Sequence, residues 1–469
     1  MSNTNFRWRW LKELGWRTVF IYFILQAVPL DWKYYRQIFQ IDWGHLSYGA
    51  IFDLAHYAPR WGEGLPTYWD WVILLGISVA GAAIWLAAGR LDVRREGLDG
   101  QGGWSGGLSA TDGGVNERLR LYYWLRVIVR YRLAIGIIAY GFIKFFPLLS
   151  PYPSISNLNT DYGDFTRWKL FSLSLGVVPN YESFLGAVEI VSGLLLFYRR
   201  SASVGAFIIA VFLANVFLSN LAYGGGEAVY SLYLISLALF VLSYDARRLL
   251  DLLILQRPAS PDRFRPEFAE RWQRFTRLGL KGGLIFFFVF LYGFKTREGA
   301  PYQFPLSKGL PGAAGVYNVS LFVVGKDTLG YSKTDPVRWQ DVVLESWTTL
   351  SIRSNRPVVL DSTNVERLNQ PSDDRDYELE GSAGRHYYRY TVDTAERMLV
   401  LQNKNPHYAG EKWVLHYERP LGSRIVLSGV GVGDEAVGGD SVHVVLDRVD
   451  KKYLLEEARR RGRQGGISL

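Results

Sequence analysis

The stretch Tyr122–Leu149, YYWLRVIVRYRLAIGIIAYGFIKFFPLL, decides how the rest of the chain is read. A membrane helix needs roughly 20 mostly apolar residues to cross a hydrocarbon core of about 30 Å, and this run supplies them. It also carries Arg132 and Lys144, twelve residues apart, or roughly 18 Å along a helix. One reading is two cations snorkelling, each stretching its stem towards its own interface. The other gives Lys144 a buried acidic partner, because intramembrane ionisable residues are expensive and mark functional sites by default.

Six further apolar segments lie to either side, at about 14–30, 71–90, 182–198, 202–221, 227–244 and 278–295, giving seven with the opening one at 127–149. The first lacks a small-residue cleavage site and reads as a retained helix. If the N-terminus is cytoplasmic, the inner stretches carry twenty Lys and Arg against five in the opposite loops, Lys33, Arg36, Arg60, Arg167 and Lys169. That asymmetry follows the positive-inside rule. The sequence therefore predicts a helical membrane bundle of about seven transmembrane helices over 1–295 in a bacterial inner membrane, with the C-terminal region periplasmic.

From 296 to 314 the chain is a Pro/Gly-rich linker. Over 315–455 apolar residues alternate at period two: Val319, Leu321 and Val323; Leu350 and Ile352; Tyr388, Tyr390 and Val392; Trp413, Leu415 and Tyr417; Val442, Val444 and Leu446. Such alternation predicts half-buried antiparallel strands, here an all-β sandwich or small barrel outside the cytoplasm. Asp373, Asp374 and Asp376 read as a solvated acidic turn, and His416 and His443 as exposed strand positions. Residues 456–469 form a basic tail.

Composition removes several classes of function. The chain has no cysteine, which excludes thiol catalysis, iron–sulfur clusters, Cys-ligated zinc and disulfides. Its six histidines show no HExxH or related metal-ligand spacing. The net charge of +9 is no nucleic-acid signal, because the basic residues sit beside apolar segments instead of forming one stripe. The loop GLDGQGGWSGGLSATDGG, without GK[ST], reads as a flexible connection.

A partner for Lys144 exists. Glu189 lies about seven residues into the fourth segment and Lys144 three to five residues from the outer end of the third, so their depths differ by only a few ångströms. Tyr140 is one turn from Lys144 on the same face. Asn215 and Asn220 lie in the outer half of the fifth segment, as pocket residues or as helix–helix glue, and Glu227, Tyr230 and Ser231 open the sixth. These groups predict an outward-opening polar pocket among helices three to six.

The runs WLRVIVRYRLAIGIIAYGFIKFFPL, DYGDFTRWKLFSLSLGVVPNYESFLGAVEIVSGLLLFYRR, GAFIIAVFLANVFLSNLAY and YDARRLLDLLILQRP together resemble the DoxX-like family of bacterial membrane proteins. The likeness is to its larger members with an exported β domain, and its core spans about 120–250. In that pattern Tyr140, Gly141 and Lys144 match the YG-x-x-K run, Tyr162, Gly163 and Asp164 the YGD triplet, and Gly186 and Glu189 the G-x-x-E run. The turn YGGGEAVYS and the basic tail depart from the pattern. The resemblance implies membrane redox chemistry, with a quinone docking at Tyr140, Lys144 and Glu189 and a redox or periplasmic protein as partner. Asp164 enters the binding candidates through it. The runner-up function is a non-catalytic membrane anchor presenting the β domain. A membrane enzyme with a lysine base, of the vitamin K-dependent carboxylase type, stands third.

Overall fold

A computed structural model describes residues 2–62, 66–98, 109–260, 270–299, 307–359, 384–433 and 439–461. The acidic turn at Asp373, Asp374 and Asp376, the centre of the glycine-rich loop, residues 300–306 of the linker and the end of the tail lie outside the described residues. The chain divides into two compact units. One comprises Met1–Phe146 and Ser183–Gly299, the other Pro147–Glu182 and Ala300–Leu469.

The first unit is helical. It contains α1 (Ser2–Ala27), α2 (Trp32–Gln40), α3 (Tyr48–Ala55), α4 (Tyr68–Leu98) and α5 (Ser109–Phe145). Residues 155–158 and 167–176, α6 (Ile155–Leu158) and α7 (Arg167–Gly176), belong to the other unit. α8 (Pro179–Leu196) begins there and returns the chain to the first unit, followed by α9 (Ala202–Tyr223), α10 (Ala228–Ser243), α11 (Ala246–Leu249), α12 (Arg271–Ile285) and α13 (Tyr292–Gly299). A π-helical stretch, Phe286–Leu291, joins the last two.

All seven apolar segments fall on these helices. Tyr68–Ala88, Ala202–Tyr223 and Arg271–Gly299 are long and apolar enough to cross a membrane, and the pair Ala228–Ser243 and Ala246–Ile254, bent by 73°, makes a fourth if it is one span. Of the remaining three, on α1, α5 and α8, α5 carries Arg126, Arg130, Arg132 and Lys144, and α8 carries Glu182 and Glu189. Val72, Ile73, Leu75, Ile77, Val79 and Ile84 on α4 point outwards, as do Val204, Phe207, Val211, Leu218 and Leu221 on α9. Continuous apolar surface of this kind is tolerated against lipid and not against water.

α3 is unlike its neighbours. Capped by Ser47, it is eight residues long and buries Tyr48, Ile51, Phe52, Leu54 and Ala55. Its C-terminal carbonyls meet the Arg132 guanidinium, which donates to Ala55 O at 2.7 Å and Tyr57 O at 2.5 Å. A cation there also complements the helix dipole. Arg132 is therefore a buried clamp on α3, and the snorkelling reading does not describe it.

The second unit is built on β1 (Gly315–Val324), β2 (Asp327–Thr328), β3 (Asp341–Leu344), β4 (Thr349–Arg353), β5 (His386–Asp393), β6 (Met398–Asn403), β7 (Lys412–Leu421), β8 (Arg424–Val432) and β9 (Ser441–Arg448). β3 to β9 meander antiparallel, and β1 pairs with both β3 and β9. That closes an eight-stranded antiparallel barrel, so the barrel alternative holds and the sandwich falls. Eight strands leave an interior that side chains can fill, and here Phe322 and Trp413 pack against Trp339, tilted and edge-on, with centroids 5.4 Å apart. The alternation expected for β1 slips by one residue at a bulge between Val319 and Leu321. Val319 and Phe322 therefore face the core, and Leu321 and Val323 do not.

The segment 147–182 forms part of the barrel's outer wall. The buried Glu345 carboxylate accepts from Ile155 N at 3.1 Å, Ser156 N at 2.7 Å and Ser156 Oγ at 2.7 Å. Ser156 Oγ also meets Ser351 Oγ, Arg385 donates to Asn159 O, and Arg353 pairs with Asp161. This cover explains why β4 is buried on both faces. Burial pushes the Glu345 carboxyl above its ordinary pKa despite these bonds.

Candidate functional site

The centre of the helical unit is set by two glycines. A methyl group on Gly186 of α8 would collide with the backbone of Gly141 and Phe145 on α5, so only glycine lets these helices approach so closely. That approach brings Lys144, in the last turn of α5, against Glu189. The distance from Nζ to Oε1 is 2.5 Å, and both residues are buried. The ammonium lies 5.8 Å from the Tyr140 ring centroid and 5.6 Å from that of Phe212, a cation–π environment that assists a desolvated cation.

A second acid–base pair stands beside the first. His56, at the C-terminal cap of α3, places Nε2 3.2 Å from Glu227 Oε2. Phe52 stacks on the imidazole at 5.3 Å, and the Tyr230 ring lies 4.0 Å from it. Glu227 in turn is fixed by backbone bonds: its N–H donates to Asn220 Oδ1, and its carbonyl accepts from Ser231 Oγ.

Tyr140 joins the two pairs. Its ring centroid is 5.5 Å from that of His56 and 5.6 Å from that of Tyr230. Its hydroxyl stands in the field of both Glu227 and Glu189 yet makes no hydrogen bond of normal geometry, and the same is true of the Tyr230 hydroxyl and of Glu189 Oε2. All three atoms are buried. Tyr140 leans on the Glu227 carboxylate and Tyr230 on Arg132; burying a polar group costs free energy unless it is hydrogen-bonded, so the cluster holds one spare acceptor, Glu189 Oε2, at its centre. Chemically it can hold a proton on either side of Tyr140 and offer both donor and acceptor to a polar group placed there.

Of the six residues expected at a pocket, the helical unit brings together Tyr140, Lys144, Glu189 and, through Glu227, Asn220. Asn215 faces outwards on α9 and accepts only from Ser219 among the described contacts. Asp164 lies in the barrel unit, on the short turn Tyr162–Asp164 beside Gly384. His56 is the member that sequence reasoning passed over. Its one sequence signal is the apolar octet YGAIFDLA just before it, too short to span and too apolar for a loop. Among the described residues no cluster of three or more His, Asp and Glu could hold a metal ion.

The fold and the cluster define a class: a membrane-candidate helical unit with a buried acid–base cluster, carried on one chain with an antiparallel β-barrel. Compared with protein-family models, curated proteins and solved structures, the chain matches none.

Proposed function

We propose that the chain is a multi-pass protein of a bacterial inner membrane, DoxX-like in type, whose helical unit exchanges protons with a redox ligand of quinone size. In this reading seven helices span the membrane, the N-terminus is cytoplasmic and the barrel periplasmic. The observation that supports it is the spare carboxylate oxygen of Glu189 beside the buried Tyr140 hydroxyl, between the Lys144–Glu189 and His56–Glu227 pairs. These groups fit a ligand with a polarised oxygen on an apolar ring. A quinone supplies two-electron chemistry with uptake of two protons, its electrons coming from a partner redox protein. The chain's share is to hold protons at Lys144 and His56, orient the ligand oxygen from the Tyr140 hydroxyl, and exclude water with Phe52, Phe212 and Tyr230.

The test is extraction of the purified full-length protein with organic solvent and chromatography of what comes off. The expected result is a stoichiometric quinone, lost in Glu189→Gln and Tyr140→Phe proteins that remain folded. Protein that carries no quinone and takes none up from quinone-loaded vesicles sinks the reading.

A second reading, a non-catalytic anchor, draws on the barrel unit. The segment 147–182 is captured by Glu345, Arg385 and Arg353, so the barrel is threaded into the membrane chain at two places instead of trailing from its end. Full function after Lys144→Ala and Glu189→Ala would favour it.

A further inference from the structure

At the end of α10 the chain turns sharply. α10 is about 24 Å long, and the next helical stretch, α11 with the π-helical turn Leu250–Ile254, leaves it at 73°. Side chains lock the bend. Asp245, at the N-terminal end of α11, pairs with Arg126 of α5 at 2.6 Å and accepts from the Ser203 hydroxyl of α9. The adjacent Tyr244 donates to Tyr122 O at 2.7 Å, and the Arg126 guanidinium lies 4.8 Å from its ring centroid. The stretch also stops abruptly. The Arg257 N–H reaches back to Asp251 O at 2.8 Å around Gln256, whose φ of 50° is left-handed, and Pro258 follows. The nine residues Ala246–Ile254 make about 13 Å of helix, of which only about 4 Å runs along the α10 axis after such a turn. That is too short for a span and turned too far to lengthen one.

Its surface is nevertheless strongly apolar. Leu250, Leu252, Leu253, Ile254 and Leu255 are all exposed, Leu253 by 74 % and Ile254 by 72 %. Exposed arginines stand at both ends of the run, Arg247 and Arg248 before it and Arg257 after it. A contiguous aliphatic patch of this kind marks an interaction surface. Protein-binding hot spots draw on Trp, Tyr and Arg, with Leu under-represented, whereas aliphatic side chains edged by cations match the boundary between acyl chains and anionic headgroups. The patch also continues the outward apolar side of α10, where Leu239 is exposed. We propose that α11 and its π-helical turn lie flat in the membrane interface at the C-terminal end of α10. Leu252, Leu253, Ile254 and Leu255 enter the upper acyl region, and the flanking arginines stay at the level of the lipid phosphates. The Arg126–Asp245 pair holds the segment in that plane. The proposal rests on the membrane placement of the helical unit and stands without the redox reading.

The chain has no cysteine, so single cysteines can be spin-labelled one at a time in the full-length protein, reconstituted into bilayers of phosphatidylglycerol and phosphatidylcholine. Collision rates with oxygen and with a water-soluble nickel chelate then read the depth of each label. Leu253→Cys is expected about 5–10 Å below the headgroups. Val211→Cys, outward-facing in the middle of α9, should sit near the bilayer centre, about 15 Å down, and Arg247→Cys at headgroup level. A label at 253 that meets the chelate as freely as the one at 247 overturns the proposal. So does a label as deep as the one at 211, which would make the stretch a continuation of the span. Protection from both reagents would mean that protein covers the patch, and would overturn lipid as its occupant. A label at 211 that meets the chelate freely would overturn the membrane placement and this proposal together, whereas failure at 253 with 211 deep leaves that placement standing.

Discussion

Two buried carboxylates, one in each unit, solve the same problem in different ways. Glu345 in the barrel unit is 2 % exposed and receives three hydrogen bonds on its two oxygens from Ile155 and Ser156. Glu189 in the helical unit is 1 % exposed, spends one oxygen on Lys144 and leaves the other without a partner. Both desolvations cost free energy. In Glu345 local bonds offset the cost and tie a covering segment to the barrel wall. In Glu189 the offset is a single charge and the remaining capacity is unspent. The difference separates a carboxylate whose two oxygens are filled by local bonds from one with an oxygen left over.

The largest expected effect comes from breaking the ion pair on one side. Lys144→Met leaves a buried, unpaired Glu189 and should cost about 3–5 kcal/mol of stability. Adding Glu189→Leu should recover most of that loss, because an apolar pair of similar volume needs no desolvation. Denaturant unfolding of the purified protein in detergent measures both. If the double variant is no better than the single one, the residue at 189 matters for more than pairing, and the contrast with Glu345 must be redrawn.

The barrel unit supplies the next effect through pH. Burial, helped by the nearby Arg356, holds His386 down to about 4 against an ordinary value of 6.5, with Glu411 opposing. As pH falls from about 6.5 to about 4, the unfolded chain takes up this proton before the folded one. Stability present above about 6.5 is thus lost on acidification, by on the order of 3 kcal/mol. Glu345 works in the opposite sense: its raised pKa favours the protonated form in the folded state, so its contribution is lost as pH rises through that value. The difference between wild type and His386→Gln isolates the histidine. Equal acid sensitivity in the two would show that His386 titrates normally.

How far the sequence could be read follows from the range of each interaction. The apolar segments, the alternating strands and the common depth of Lys144 and Glu189 are periodic or local features, and the structure places them on helices, on strands and in contact. The His56–Glu227 pair joins residues 171 positions apart, and it depends on a short buried helix that no period identifies. Barrel closure likewise depends on β1 reaching β9, a long-range pairing that alternation leaves open. The bulge after Val319 shifted the inward face by one residue, because a two-residue period carries no memory across an inserted position. Asp164 and Asn215 were placed by family pattern and by depth, and neither criterion says which way a side chain turns.

The smallest expected change in stability is the most informative about the site. Tyr140→Phe removes a buried hydroxyl that makes no hydrogen bond of normal geometry, leaving the ring contacts with Phe52, His56 and Tyr230 in place. Deleting a hydroxyl whose contact with Glu227 lacks normal hydrogen-bond geometry, without opening a cavity, costs little, so unfolding should shift by less than about 1 kcal/mol in either direction. The same deletion in a structural network such as Ser156→Ala, which strips Glu345 of a short bond, should cost about 1–3 kcal/mol. A loss that large in Tyr140→Phe would mean that the hydroxyl is already bonded within the fold, and the spare capacity at the centre of the helical unit would vanish with it.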